Sequence, residues 1–435
     1  METEITEIKT LSEVIGRQNS SNSSREPALA SREIPRRLSA AANFFLNFVS
    51  VSMSCISRFG GELRPQPPML ANAGAIEWSR FLDRPVITST CFDCEAAVAG
   101  KTVLITGAAG SIGSALARRL MAAPVDTLLL LDYSLPGLHA LCHEYIERIG
   151  KSPRVEFLQT DILSEGALQD IFLEHRPQIV FHTAALKHLG ALERAPVAAL
   201  RINVLGTLRL LEFVDSSDVE YFVNISTDKA VNPCSVLGVS KRIAELLVLS
   251  MESSGARMVS LRLGNVLGSS GSVVPLFLRS LQNNQPLEIT DLQASRYFVT
   301  MDEAVSLLLS SLAVSANSLL LPAMGDPRRI VDLAAFLLNE FQCVSPGKSL
   351  IYTGLRDGEK RAEQLIYQHE YLGAGPVPHL RRILNSGVPD KEEFAENLGR
   401  LLELVVEGGT TGLIEALSRI VPEFKASPAL QSYVH

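Results

Sequence analysis

Over its middle, this sequence predicts a doubly wound α/β fold built on a parallel sheet, and three observations carry the prediction. Short apolar runs alternate with helical stretches. Each run stops at a polar or acidic residue. The first opens into a glycine-rich turn ahead of a helix. Such alternation means repeated strand–helix–strand units around a sheet buried on both faces. Crossovers in a sheet of this kind are right-handed.

The elements follow in order. Thr102-Val103-Leu104-Ile105 is the first run, and residues 111–121 read as the helix after it. Residues 128–131 end at Asp132, 155–158 end near Asp161, 179–181 end at His182, and 221–225 end at Ser226. Helical patterns fill the gaps at 135–149, 165–174 and 195–214. From about Gly268 the alternation loosens. Helices at 273–281, 301–313 and 330–341 then suggest a smaller C-terminal substrate-binding region, followed by helix at 391–407 and 413–420. There is no internal repeat.

Composition narrows the function classes. Of 435 residues, 46% are hydrophobic and 20% charged, an ordinary globular balance. The net charge of −7 supplies no global basic field for nucleic acid. Six cysteines are too sparse for a disulfide framework. Cys91 and Cys94 form one C-x-x-C, half a zinc site at most, so no metal is expected. The first 75 residues read as a leader, acidic at Glu2, Glu4 and Glu7 and Ser/Asn-rich at 19–24. Residues 38–56, between Arg37 and Arg58, have the length to span a membrane. They carry too many polar groups for it (Asn43, Asn47, Ser50, Ser52, Ser54), leaving a poorly ordered leader or a surface-lying anchor. Arg64-Pro65-Gln66-Pro67-Pro68 marks a linker.

The glycine-rich turn is Thr106-Gly107-Ala108-Ala109-Gly110-Ser111-Ile112-Gly113, spaced G-x-x-G-x-x-G. Gly107 permits the tight turn, Gly110 lets the backbone approach a pyrophosphate, and Gly113 allows close helix–strand packing. Ser111 and Ile112 open a helix whose free N–H groups and partial positive charge face that anion. Asp132 closes the second strand 19 residues past Gly113, where a carboxylate accepts from adenosine ribose hydroxyls and would repel a 2′-phosphate. This spacing favours NAD over NADP on a Rossmann fold. A turn or cap role is the competing reading for Asp132. Asp161 is placed beside the adenine, with loop capping as its alternative. The chain thus divides into a leader (1–75), a linker docking onto the domain (76–98), a dinucleotide-binding domain (99–267) and a substrate-binding and helical region interleaved with it (268–435).

Further motifs carry a resemblance. They are His182-Thr183-Ala184-Ala185-Leu186-Lys187-His188, Asn203-Val204-Leu205-Gly206-Thr207, and Ser226-Thr227-Asp228-Lys229-Ala230-Val231-Asn232-Pro233. Arg262-Leu263-Gly264-Asn265-Val266-Leu267-Gly268-Ser269-Ser270-Gly271-Ser272-Val273, Arg296-Tyr297-Phe298 and Gly354-Leu355-Arg356-Asp357-Gly358-Glu359-Lys360 follow in order. Together, over about residues 80–385, they resemble the extended short-chain dehydrogenase/reductase superfamily. Within it they are similar to the bacterial nucleotide-sugar 4,6-dehydratases called capsular polysaccharide biosynthesis proteins. Larger members carry transmembrane helices and an extra domain ahead of this unit. A short leader stands there in this chain, so the resemblance implies a soluble or trimmed member, cytoplasmic or at the inner face of the membrane, and a homo-oligomer.

The resemblance also implies a reaction. A UDP-linked N-acetylhexosamine, UDP-N-acetylglucosamine first, loses hydride from C4 to bound NAD. The C5 proton and C6 hydroxyl then leave as water, and hydride returns at C6. By family analogy Asp228 is the acid and Lys229 the base, with pairing to each other or loop capping as the competing reading, Thr227 bonding the reacting hydroxyls and Lys241 holding the nicotinamide ribose. A lysine's ordinary pKa, about 10.4, is too high for a base, so burial or a nearby cation such as Lys241 or Lys187 must lower it. Ala184, Ala185, Lys187 and Asn203 fall on the cofactor side by the same analogy. His188 and Asn265 fall near sugar and diphosphate. Arg296 and Arg356 have the guanidinium fork suited to phosphate, and Glu359 is placed on the uridine ribose or orienting Arg356. Ion pairing within the protein competes for Arg296, Arg356 and Glu359, and burial as a satisfied histidine competes for His188.

Two positions depart from the pattern. The superfamily's Y-x-x-x-K appears here as Leu237-Gly238-Val239-Ser240-Lys241, and leucine has no ionisable group. The dehydratase branch commonly has methionine there, so leucine fits it better than a tyrosine-dependent 4-epimerase. Asp357 replaces a usual proline and adds negative charge near the expected phosphate site. A UDP-sugar epimerase, and a catalytically silent NAD-binding scaffold, are the competing functions.

Overall fold

The computed structural model describes residues 76–87, 92–147, 153–251, 255–341 and 350–434. The leader, its candidate membrane segment, the proline-rich linker and Cys91 lie outside the described residues. Among the described residues, no helix is long and apolar enough to cross a membrane.

Strands β1 (Thr102–Thr106), β2 (Thr127–Asp132), β3 (Arg154–Gln159), β4 (Ile179–His182), β5 (Tyr221–Thr227), β6 (Arg257–Leu263) and β7 (Ser318–Pro322) form a parallel sheet. An antiparallel hairpin of β8 (Tyr371–Val377) and β9 (Leu380–Leu384) closes one edge. The full order is β8-β9-β7-β6-β5-β4-β1-β2-β3. The doubly wound class is therefore as the sequence predicts. Val103, Leu104, Ile105 and Leu128 to Leu131 are all fully buried, which is why these runs are apolar without alternation. Strand order reverses beside β1, and the crevice outside the strand ends at such a reversal is where ligands bind.

The helices are α1 (Ser111–Leu120), α2 (Leu135–Glu147), α3 (Glu165–His175), α4 (Gly206–Asp215), α5 (Val236–Ser250), α6 (Val273–Gln282), α7 (Met301–Ser310), α8 (Ile330–Glu340), α9 (Lys391–Glu407), α10 (Leu413–Ile420) and α11 (Pro428–Val434). Helix α5 is buried from Val236 to Val248, because α9 and α10 add their apolar faces to the same core. An amphipathic face alone would leave its outer residues in water.

One sequence expectation is corrected. The single helix expected at 195–214 is three pieces: Pro196–Leu200, a π-helical turn at Arg201–Leu205, and α4. Apolar spacing cannot distinguish these, since a π turn shifts the hydrogen-bond partner by one residue and leaves composition unchanged. The loosened stretch after Gly268 also re-enters the main sheet as β7, then as the β8–β9 hairpin. A smaller lobe built from α6, α8 and short strands packs over the strand ends. The helix Trp78–Leu82 docks on it through an aromatic cluster of Trp78, Phe81, Phe298 and Phe336.

Candidate active site

A cleft of about 600 Å³ opens at the ends of β1, β4 and β5, under the smaller lobe. Its floor is the glycine loop. Gly107 has φ +70°, and a Cβ there would sit 2.6 Å from the backbone of Ala184. A Cβ on Gly113 would lie 2.1 Å from the Gly107 carbonyl oxygen, so the start of α1 packs directly beneath the turn. Gly110, Ser111, Ile112 and Gly113 line the cleft. This cradle of bare backbone, with a helix N-terminus aimed into it, fits a dinucleotide pyrophosphate. We expect Gly113→Ala to abolish dinucleotide binding, read by cofactor retained through purification; a variant that keeps full cofactor would refute the cradle.

The remaining wall comes from six segments. Ala185, Lys187 and His188 follow β4; Thr227 ends β5 and Lys229 follows it; Lys241 stands on α5. Asn265, Arg296, Arg356 and Glu359 arrive from the later chain. The other expected residues, Gly107, Asp132, Asp161, Ala184, Asn203 and Asp228, do not line the cleft themselves.

Asp132 is buried, and its two oxygens accept from Ala109 N at 2.9 Å and Ser134 N at 2.8 Å. It thereby ties the glycine loop to the end of β2, while each oxygen keeps a further lone pair. Asp161 is exposed and accepts from Leu163 N at 2.9 Å, capping its own loop. Asn203, on the π turn, exchanges bonds with Leu186 (2.8 and 3.0 Å) and donates to Ser240 Oγ at 3.0 Å. It locks the Ala184–His188 segment to α5.

At the end of β5, Thr227 Oγ1 donates to Asp228 Oδ1 at 2.9 Å. Lys229 Nζ donates to the same oxygen at 2.9 Å and to Asn265 Oδ1 at 2.8 Å. Asp228 is fully buried, and its Oδ2 meets no donor among the described residues. Burial pushes the Lys241 ammonium down to about 8, against an upward pull from Glu245. Beside it, burial and then the Lys241 charge push His182 down to about 3, so the ring is neutral between Thr106 Oγ1 (2.8 Å) and Thr207 Oγ1 (3.0 Å). Lys187 is exposed by area yet set into the concave wall, and desolvation lowers its pKa.

Leu237 is buried in the cleft wall one turn before Lys241. Ser235 is buried outside the cleft lining, and its hydroxyl caps α5 by accepting from Gly238 N at 3.0 Å. Cys234 Sγ donates to Gly358 O at 3.4 Å, and burial pushes its thiol up.

On the far side, Arg296 is buried and donates to Glu359 Oε1 at 2.8 Å and to the Ser295 and Arg361 carbonyls. Its competing reading, an ion pair within the protein, is what the geometry contains. Glu359 Oε2 accepts from Arg356 N at 3.1 Å, so the Arg356 turn is fixed by the same carboxylate. The Arg356 side chain itself is exposed at the cleft mouth. His188 is exposed too, its ring against Gly271, where a Cβ would come within 2.4 Å of Cε1. This excludes the buried-histidine reading.

Sequence reasoning missed the ionic cluster behind β5. Arg262, fully buried, donates to both Glu245 oxygens (3.0 and 2.8 Å) and to Glu370 (2.8 and 3.2 Å). Arg242 joins Glu245 at 3.0 Å, and Ser226 Oγ donates to Glu245 at 2.6 Å. The signal was there in Arg242 and Glu245, which with Lys241 are the charges of a largely apolar helical run.

Strand order, glycine cradle and the lysine of α5 define a Rossmann-fold protein of the extended short-chain dehydrogenase/reductase type, in its nucleotide-sugar dehydratase and epimerase branch. The chain belongs to the polysaccharide biosynthesis protein family, whose signature matches residues 103–384. It is 33% identical to the probable polysaccharide biosynthesis protein EpsC of Bacillus subtilis (strain 168), over 74% of this chain and 55% of that one. It is 36% identical to the capsular polysaccharide biosynthesis protein CapD of Staphylococcus aureus, over 62% of this chain and 46% of that one. It therefore spans about half the length of these relatives. UDP-glucose 4-epimerase of Rickettsia rickettsii (strain Sheila Smith) matches at 28% identity over 66% of this chain and 84% of that one. Among solved structures, Pen from Bacillus thuringiensis superposes with TM-score 0.60 at 25% identity, covering 69% of this chain and 97% of that one.

Proposed function

We propose that this protein is an NAD-dependent 4,6-dehydratase of a UDP-linked N-acetylhexosamine, UDP-N-acetylglucosamine first, serving surface-polysaccharide synthesis. The observation that carries it is the Thr227-Asp228-Lys229 cluster at the end of β5, bridged to Asn265 in a cleft that Lys241 also lines. A buried carboxylate and amine that already share a hydrogen bond are what an elimination needs, and an epimerisation does not. The family and the EpsC and CapD likeness support the pathway. Asp132, at the end of β2, favours NAD over NADP.

Residues 107–113 would hold the pyrophosphate and Lys241 the nicotinamide ribose. When bound, the dinucleotide supplies a hydride acceptor and donor. The chain's own part is proton handling. One proton passed from Lys229 Nζ to Asp228 Oδ1 turns the ammonium–carboxylate pair into amine and acid, the two working forms. Lys229 then takes the sugar C5 proton, and Asp228 protonates the departing C6 hydroxyl, which leaves as water. Both residues end this elimination in their starting states, and the proton that the C4 hydroxyl releases on oxidation is matched by the one C5 takes up when hydride returns to C6, so the net loss is one water. Thr227 stands between the cleft and the buried Asp228, and its hydroxyl relays protons between them. Arg356 meets the diphosphate at the cleft mouth.

The test is incubation with UDP-N-acetylglucosamine and NAD, read by mass spectrometry. A product lighter by one water is expected. An isomer of unchanged mass would replace this reading by a 4-epimerase, and retained cofactor without turnover would replace it by a silent binder.

Lys241 yields a pH prediction. It is charged below about 8 and loses its proton as pH rises through that value, far under the unfolded value of about 10.4. NAD affinity of the free protein should fall above about pH 8, and Lys241→Met should flatten the profile. An unaltered profile in the variant would separate Lys241 from the cofactor.

A further inference from the structure

We infer that Glu193 is a positioning residue that couples the Arg356 turn to the first turn of α5, and that the C-terminal helical segment holds it there through Ser427. This rests on the reading above for what the Arg356 turn binds. Glu193 closes the short helix Leu189–Glu193, which follows Lys187 and His188 in the cleft wall. It is 1% exposed, although it is a carboxylate. Its Oε1 accepts from Val236 N, the first residue of α5, at 2.7 Å. Its Oε2 accepts from the Ser427 hydroxyl, which in turn accepts from Leu430 N at 3.1 Å.

The Arg356 turn leans on the same node. Gly358 has φ +71°, and a Cβ there would sit 2.7 Å from Ser235 Cβ and 3.1 Å from Glu193 Oε1. Cys234 Sγ donates to the Gly358 carbonyl from the adjoining loop. Lys425 N donates to Pro233 O at 3.0 Å, so the C-terminal segment also grips the loop that follows Lys229. Phe424 and Leu430 are buried beside these contacts. Residues 425–430 lie beyond the family-matched span of 103–384, yet they supply the contacts that fix both sides of the cleft.

A carboxylate at the start of α5 suits that helix end electrostatically. Its removal leaves the Val236 N–H and the Ser427 O–H without their acceptor and the Gly358 turn without its support. Lys241 stands one turn further along α5, so the disturbance reaches the cleft from both walls.

The experiment compares wild type, Glu193→Ala, Glu193→Gln and Ser427→Ala by hydrogen exchange and by UDP binding. Glu193→Ala and Ser427→Ala should speed exchange in peptides covering residues 354–361 and 236–241, and leave 106–113 unchanged. UDP affinity should drop about tenfold with cofactor content unaltered, as small misplacements of a binding group do. Glu193→Gln keeps an acceptor for Val236 N and gains a donor for Ser427, so it should restore both readouts. Should Glu193→Ala not fold, Ser427→Ala, which deletes one hydroxyl, carries the same test. Unchanged exchange at 354–361 in the folded variants would overturn the inference, whatever UDP does. The expected exchange response in a protein whose wild type binds no UDP would uphold the coupling and sink the substrate reading instead.

Discussion

Replacing Lys229 by Gln is expected to reduce dehydration about 10²–10⁴-fold, the range a positioned general base contributes. Glutamine keeps a donor toward Asp228 and Asn265, the two partners of the lysine. The fold and the cleft should survive, with cofactor still bound and substrate affinity changed little. The loss therefore belongs in kcat. Alanine is a harsher variant, because it strands the fully buried Asp228 with Thr227 as its remaining donor. Single-turnover kinetics on Lys229→Gln would settle the assignment: a rate within a few-fold of wild type means another group takes the C5 proton. Solvent-exchange labelling at C5 supplies a second check, since a variant lacking the base should not wash in deuterium.

The largest effect on stability is expected at Arg262, which does not itself line the cleft. Arg262→Met should cost about 3–5 kcal/mol, because it leaves Glu245 and Glu370 buried with one arginine, Arg242, between them. Thermal melting and denaturant titration read this directly, and a loss under about 1 kcal/mol would mean that the cluster relaxes around the vacancy. Acid should dissolve the same cluster. Burial works to raise the Glu245 carboxyl, but Arg262 and then Arg242 outweigh it and hold it down to about 2. A depressed carboxylate contributes stability above its unfolded value of about 4.3. That contribution fades as pH falls from there through about 2. The cluster also holds Ser226, next to Thr227, so activity in Arg262→Met should decline together with stability.

The cofactor half of the site was legible in the sequence because its rules are local. A positive φ at Gly107 and absent side chains at Gly110 and Gly113 are needed within one turn, so they appear as spacing. Strand ends were legible for the same reason, since each apolar run stops where the sheet does. That Arg296 pairs with Glu359 in particular was not, because the two are separated by 63 residues, and alone Arg296 reads as a phosphate ligand and Glu359 as a ribose contact. Asp228 was legible as an acid in the right place but not as one sealed behind Thr227 and Lys229. Glu193 carried no motif at all. Its burial depends on Ser427, 234 residues away.

By itself the sequence determined the alternating fold, the glycine cradle, the acid at the end of β2 and the family. All of these follow from side-chain period and backbone freedom over a few neighbouring residues. Tertiary structure alone decided which charges face the cleft and which are spent inside the protein. Strand order brings β4, β5 and the later segments to one crevice. The C-terminal helices then bury α5 on its outer side. Burial turns charges into paired and committed groups, since an unpaired ion in low dielectric costs more than any single contact returns. That selection depends on who the distant neighbour is, and no local pattern records it.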